Sequence, residues 1–166
     1  MYKKARPRSS NQEWFFEDYQ KDTFIEIGPV YVEKYELIEF ALRYDPQPMH
    51  IDSDSAKKGP YKGLIASGWQ TCALVMRELV ENYFSPSSSL GSPGIDELKW
   101  LKPVRPGDRL TVRATILETK LSRSKPDRGI VITLVEAFNQ QQEKVVSFKA
   151  SNFMLCSKFS SDKRLN

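Results

Sequence analysis

The sequence predicts an α+β fold in which one long central helix is wrapped by a curved antiparallel β-sheet. Three observations point to it. Residues 68–83 form a helical segment apolar around most of its circumference, carrying Trp69, Cys72, Ala73, Met76, Leu79, Val80 and Tyr83. Long strand-like segments follow it at 94–102, 109–118, 129–139 and 144–156. Only a short strand and short helices precede it. A helix that presents so little polar surface, with Gln70, Arg77 and Glu81 as its edge, needs cover on several sides.

Each element has its own local reason. Trp14, Phe15, Phe16 and Tyr19 form an aromatic cluster suited to capping an open end of the core. Residues 23–27 alternate as a short strand that Gly28-Pro29 closes. Leu37, Ile38, Phe40, Ala41 and Tyr44 recur at helical spacing, and Pro46 and Pro48 stop that helix because proline lacks the amide donor. Asp52 is an N-cap for a second short helix through Lys57. Residues 85–93, rich in Ser, Pro and Gly, turn the chain out of the long helix, and loops at 103–108, 121–128 and 140–143 separate the strands.

The 166 residues suit one domain, assigned to 14–157, with a basic tail at 1–13 and a second tail at 158–166. The formal charge of +4 at first suggests a polyanion partner. It resides at the ends, however. Residues 1–8 and 158–166 hold 7 of the 25 bases and 1 of the 21 acids, so the body carries a net −2. Solvated termini explain this, and no nucleic-acid partner is expected. No charge-free run is longer than 63–76, which is too short to cross a bilayer, and the basic start has no apolar run behind it. No membrane association is expected, and the expected location is cytoplasmic. Cys72 and Cys156, without CxxC spacing and with a single histidine in the chain, form no usual zinc set and read as thiols of a reducing compartment.

That histidine, His50, lies five positions after Asp45 on a segment stiffened by two prolines. A carboxylate and an imidazole so placed can hold a water or share a substrate proton. Ile65-Ala66-Ser67-Gly68 leads into the long helix, whose unpaired first amides suit a carbonyl or oxyanion. Gly68 lets a ligand approach the backbone closely. By local chemistry alone, Asp45 can equally be a turn residue and His50 an ordinary hydrogen-bonded core residue.

Taken together, Phe40-Ala41-Leu42-Arg43-Tyr44-Asp45-Pro46-Gln47-Pro48-Met49-His50-Ile51-Asp52 resembles the signature of the MaoC-like dehydratases, which include R-specific enoyl-CoA hydratases. Gly63-Leu64-Ile65-Ala66-Ser67-Gly68 and the segment from Leu98 to Asp108 resemble two further motifs of that family, in the same order. The resemblance spans about 20–157 and implies a hot-dog fold and a homodimer or higher homo-oligomer. It implies that Asp45 and His50 are a catalytic dyad, with Asp45 as base and His50 as partner acid, and that the Gly68 amide is the oxyanion donor. The implied substrate is an acyl-CoA or related thioester, to whose 2,3 double bond water is added or from which it is removed. CoA then enters as part of the substrate, and no other cofactor is expected.

The sequence departs from the hydratase pattern at three places. Gln47 stands where asparagine is usual, Ser67 where many members have histidine, and Met76 where some place a small polar residue facing the pocket. Gln47, Ser67 and Trp69 are the candidate acyl-side contacts, Trp69 as an aromatic that narrows the acyl channel or as a core residue. For the phosphates, Arg123 and Arg128 on one loop compete with Lys57 and Lys62 near the dyad. Two other functions use the same fold: a hot-dog acyl-CoA thioesterase, and a non-catalytic acyl-thioester-binding module.

Overall fold

The computed structural model describes residues 1–163. Its centre is a six-stranded sheet built from β1 (Lys3–Lys4), β2 (Thr23–Tyr31), β3 (Gly94–Trp100), β4 (Arg109–Leu121), β5 (Arg128–Phe138) and β6 (Lys144–Leu155). The spatial order is β1-β2-β4-β5-β6-β3, and every pairing is antiparallel except β1 with β2. Period-two alternation makes these strands. On β4, Leu110, Val112, Ala114 and Ile116 all point into the core, and on β5 Val131, Thr133, Val135 and Ala137 do the same.

Against that face lies α4 (Gly68–Asn82), the predicted long helix, burying Val75 and Leu79. Three shorter helices, α1 (Lys34–Tyr44), α2 (Pro48–Ile51) and α3 (Ser53–Lys58), fill the connection before it. Leu37 and Ala41, one helical turn apart, are the buried contacts of α1. Asp52 caps α3 as expected, its carboxylate accepting from the Asp54 and Ser55 amides. The α+β expectation therefore stands, with a curved sheet and a long helix laid on it.

Three expectations change. Gly28-Pro29 does not end β2, which continues to Tyr31 across a register shift between Ile27 and Val30. Gly28 has φ +108°, and a Cβ there would stand 2.8 Å from the Leu110 carbonyl, so this glycine makes a bulge rather than a stop. Second, α4 is covered on one side only: Trp69, Met76 and Val80 are exposed along a single stripe.

Third, the basic N-terminus is built into the fold rather than solvated. Lys3 and Lys4 pair with Thr23 and Phe24, and Arg8 is buried at the C-terminal end of α4. There its guanidinium donates to the carbonyls of Val80 (3.2 Å) and Glu81 (2.8 Å), and to those of Ser9 and Gln12. Helix C-termini leave carbonyls without partners, and a cation is the group that satisfies them. At the other end of the chain, a 3-10 turn, Ser157–Lys163, brings Phe159 against the core; residues 164–166 of the expected tail lie outside the described residues.

The aromatic cluster packs as predicted. Phe16 lies on Gly129, and Tyr19 meets Tyr83 edge-on at 5.1 Å while donating to the Tyr83 carbonyl.

Candidate active site

Asp45 ends α1, because Pro46 cannot continue the helix, and Pro48 opens α2 at its first turn, where a missing amide costs nothing. The link is tight: the Gln47 amide donates to the Asp45 carbonyl at 2.7 Å and the His50 amide to the Gln47 carbonyl at 2.8 Å. The segment leading into α4 is tied back to it, the Ile65 amide donating to the Met49 carbonyl at 3.2 Å. His50 and Asp45 are thereby brought to the N-terminus of α4.

His50 is 4% exposed. Its Nδ1 lies 2.9 Å from the Ile65 carbonyl. A carbonyl only accepts, so Nδ1 carries the hydrogen, and Nε2 is left facing Asp45 Oδ2 at 3.4 Å. Both oxygens of Asp45 are held: Gln47 Nε2 donates to Oδ1 and Ser67 Oγ to Oδ2, each at 2.7 Å. The Gln47 and Ser67 hydrogen bonds keep the Asp45 carboxyl below the usual carboxylate range. Two neutral donors that stabilise the ionised form make Asp45 a stable anion beside an imidazole.

The Ser67 hydroxyl also accepts from the Trp69 amide at 3.3 Å, capping α4. Among the described residues no acceptor meets the Gly68 amide, the first of the helix. Over Gly68 lies an indole from the third motif: Trp100 Nε1 donates to the Gly68 carbonyl at 2.9 Å. A Cβ on Gly68 would stand 2.5 Å from that ring. The glycine is therefore required by Trp100, and the side expected to admit a ligand is occupied. Trp69 meets Trp100 edge-on at 5.3 Å.

These groups line a cavity of about 450 Å³, with Asp45, Gln47, His50, Gly68, Trp69 and Trp100 in its wall. Ser67 stands behind the wall and acts on Asp45. Lys57 and Lys62 are exposed outside the cavity, Lys57 beside Asp54. Arg123 and Arg128 are farther away. Arg128 pairs across the sheet with Leu155, whereas the cavity touches Val145, ten residues earlier on β6 and about 33 Å of strand away. The Asp127 carboxylate already binds Arg128 bidentately at 2.8 and 2.7 Å. Lys102, which the sequence reading passed over, lines the cavity and pairs with Glu143 at 3.4 Å. Its signal was position, just before Pro103 in the third motif. Met76 lies outside this cavity and lines another. Among the described residues no three His, Cys, Asp or Glu side chains converge as a metal set, and no helix is long and apolar enough to cross a membrane.

A long helix on a curved antiparallel sheet, with a polar site at the helix start, defines a hot-dog domain. The chain belongs to the MaoC-like domain family, whose model matches residues 18–137. A MaoC-like dehydratase from Rhodospirillum rubrum superposes with a TM-score of 0.80 at 35% identity, over 86% of this chain and 97% of that one. The R-hydratase PhaJ1 from Pseudomonas aeruginosa superposes with a TM-score of 0.69 at 26% identity, over 86% of this chain and 85% of that one. YdeM of Bacillus subtilis, an uncharacterized protein, is 33% identical over 114 residues, 69% of this chain and 79% of its own.

Proposed function

We propose that this protein is an R-specific enoyl-thioester hydratase, adding water to the 2,3 double bond of an acyl-CoA-type substrate or removing it in reverse. Family membership supports hydratase or dehydratase chemistry in general. One observation carries the finer reading: His50 Nε2 and Asp45 Oδ2, 3.4 Å apart, face the same cavity as the unpaired Gly68 amide. No other cofactor takes part, since CoA arrives as part of the substrate.

The proton inventory sets the roles. With Nδ1–H given to Ile65, the reacting form of His50 is the one with a bare lone pair at Nε2, and ionised Asp45 offers oxygens, so the dyad begins with no proton to donate. A water between them donates to both, turning its own lone pair toward C3. Asp45 is already held as an anion by Gln47 and Ser67, so Nε2 takes the proton, and the carboxylate stabilises the imidazolium. The family resemblance implies the opposite assignment, with Asp45 as base and His50 as acid. Hydroxide oxygen bonds to C3, the double-bond electrons move to the thioester oxygen, and the Gly68 amide meets that charge, a contribution of about 3–4 kcal/mol to the barrier. The imidazolium then returns its proton to C2. The hydroxyl and the proton are delivered to one face, so addition is syn.

The test follows double-bond loss and thiol release separately on enoyl-CoA thioesters. Hydration that disappears in Asp45→Asn and His50→Ala, with a syn, R-configured product, supports the reading. Thiol release without hydration makes the protein a thioesterase instead, and binding without either reaction makes it an acyl-thioester-binding module.

A further inference from the structure

Among the described residues, Lys102 is the one Lys or Arg in the wall of the catalytic cavity. Its side chain is 55% exposed, against 6% for His50 and 19% for Asp45, so it stands at the mouth while the dyad lies deeper. Its place is fixed from both sides. The Leu101 amide donates to the Val145 carbonyl at 2.8 Å, and Pro103 restricts the residue that follows. Two positions earlier, Trp100 Nε1 bonds the Gly68 carbonyl, so at most about 7 Å of extended chain separates Lys102 from the residue that touches the helix start.

The ammonium is not committed to the fold. Its one ion-pair partner, Glu143 at 3.4 Å, is 47% exposed, and an exposed pair of this kind contributes little. Glu143 keeps another donor when the lysine turns away, because Asn139 Nδ2 bonds its Oε2 at 3.0 Å. The other cations nearby are occupied or lie outside. Arg105 donates to the Tyr61 carbonyl at 2.7 Å and to that of Leu64 at 3.5 Å, Lys57 meets Asp54, and neither Lys57 nor Lys62 is in the wall. An anion, Asp45, inside the cavity and a replaceable cation at its mouth sort the charge of a ligand: negative charge is disfavoured within and favoured at Lys102. An acyl thioester has that pattern. Its acyl end is neutral, and its pantetheine arm ends in a phosphate, both in CoA and on a carrier protein.

We propose that Lys102 exchanges Glu143 for the phosphate that ends the pantetheine arm, anchoring the substrate at the cavity mouth. The inference rests on the acyl-thioester reading above, but it concerns binding and its test needs no turnover. Calorimetry at low salt with three saturated, unreactive thioesters measures it: butyryl-pantetheine, which has no phosphate, butyryl-4′-phosphopantetheine, which has one, and butyryl-CoA, which adds the nucleotide. The wild type binds the phosphopantetheine form at least fivefold more tightly than the pantetheine form. Lys102→Ala brings that ratio below twofold, Lys102→Arg retains it, and Glu143→Ala does not lower it. Equal binding of the two forms by the wild type overturns the proposal, and so does an unchanged ratio in Lys102→Ala. A gain that appears only with butyryl-CoA assigns recognition to the nucleotide and overturns it as well. Binding of none of the three overturns it together with the acyl-thioester reading. An intact phosphate step in a protein that does not hydrate enoyl-CoA thioesters refutes the hydratase reading alone.

Discussion

Ser67 Oγ donates a 2.7 Å hydrogen bond to Asp45 Oδ2 and accepts one from the Trp69 amide at 3.3 Å, from a position with no solvent exposure. One hydroxyl thus joins the carboxylate to the start of the helix that Gly68 opens. Ser67→Ala removes both bonds. Loss of the cap and of a buried donor to an anion destabilises the fold by about 1–3 kcal/mol. The sign of the pH effect follows from the lowered Asp45 pKa. A depressed carboxylate contributes stability above its unfolded pKa and loses it as pH falls through the folded one. Without Ser67 the folded pKa rises, so the stabilisation shrinks and its remainder is lost at higher pH. Denaturation midpoints between pH 2 and 7 measure this, and an unchanged acid limb in Ser67→Ala contradicts it.

That bond was not legible in the sequence, because Ser67 and Asp45 are 22 residues apart and a serine before a helix already has a sufficient local role as a cap. The elements themselves were legible, since α4 and β4 to β6 are long enough for periodicity to decide them. Asp45, His50 and Gly68 were legible as residues brought to one end of the long helix. Trp100 was not, because strand alternation does not say that a glycine on another element must lie beneath an indole. Arg8 looked like a tail residue for the same reason: charge near a terminus carries no sign of a helix end waiting for it.

Gly68→Ala separates helix propensity from packing. Alanine favours a helix by up to about 1 kcal/mol over glycine. Here its Cβ would stand 2.5 Å from the Trp100 ring, and overpacking of that kind costs about 1–3 kcal/mol, so packing wins and the variant is less stable. In a Trp100→Ala background the obstruction is gone, and Gly68→Ala becomes neutral or stabilising. A double-mutant cycle by urea denaturation measures the coupling. Additive effects show that the indole does not rest on Gly68.

Arg8 closes the far end of the same helix. Its four guanidinium hydrogen bonds go to backbone carbonyls, two of them on the last turns of α4, and its own amide donates to the Asn82 carbonyl at 2.8 Å. Charge-assisted bonds are the stronger kind, and their loss is only partly offset because Arg8 Nε is buried without a partner. Arg8→Ala is expected to lower stability by about 2 kcal/mol. Arg8→Lys recovers less than half, because one ammonium lacks the fork that reaches both pairs of carbonyls. Equal stability of Arg8→Ala and wild type in urea makes this contact inconsequential.

The homo-oligomer implied by the family resemblance has one face suited to it. β3 is an edge strand, bonded on one side to β6, and Ile95 and Trp100 on it are exposed. Beside it runs the uncovered stripe of α4, with Trp69, Met76 and Val80 at 59%, 44% and 51% exposure. An unpaired edge next to a continuous apolar stripe is a surface that a second copy covers by the same contacts in both directions. Charge placed there opposes burial on both subunits at once. The wild type is therefore expected to sediment as a dimer, and Val80→Glu combined with Ile95→Lys as a monomer with unchanged far-ultraviolet circular dichroism. A monomeric wild type at tens of micromolar, or a double variant that stays dimeric, assigns the contact to another face or to none.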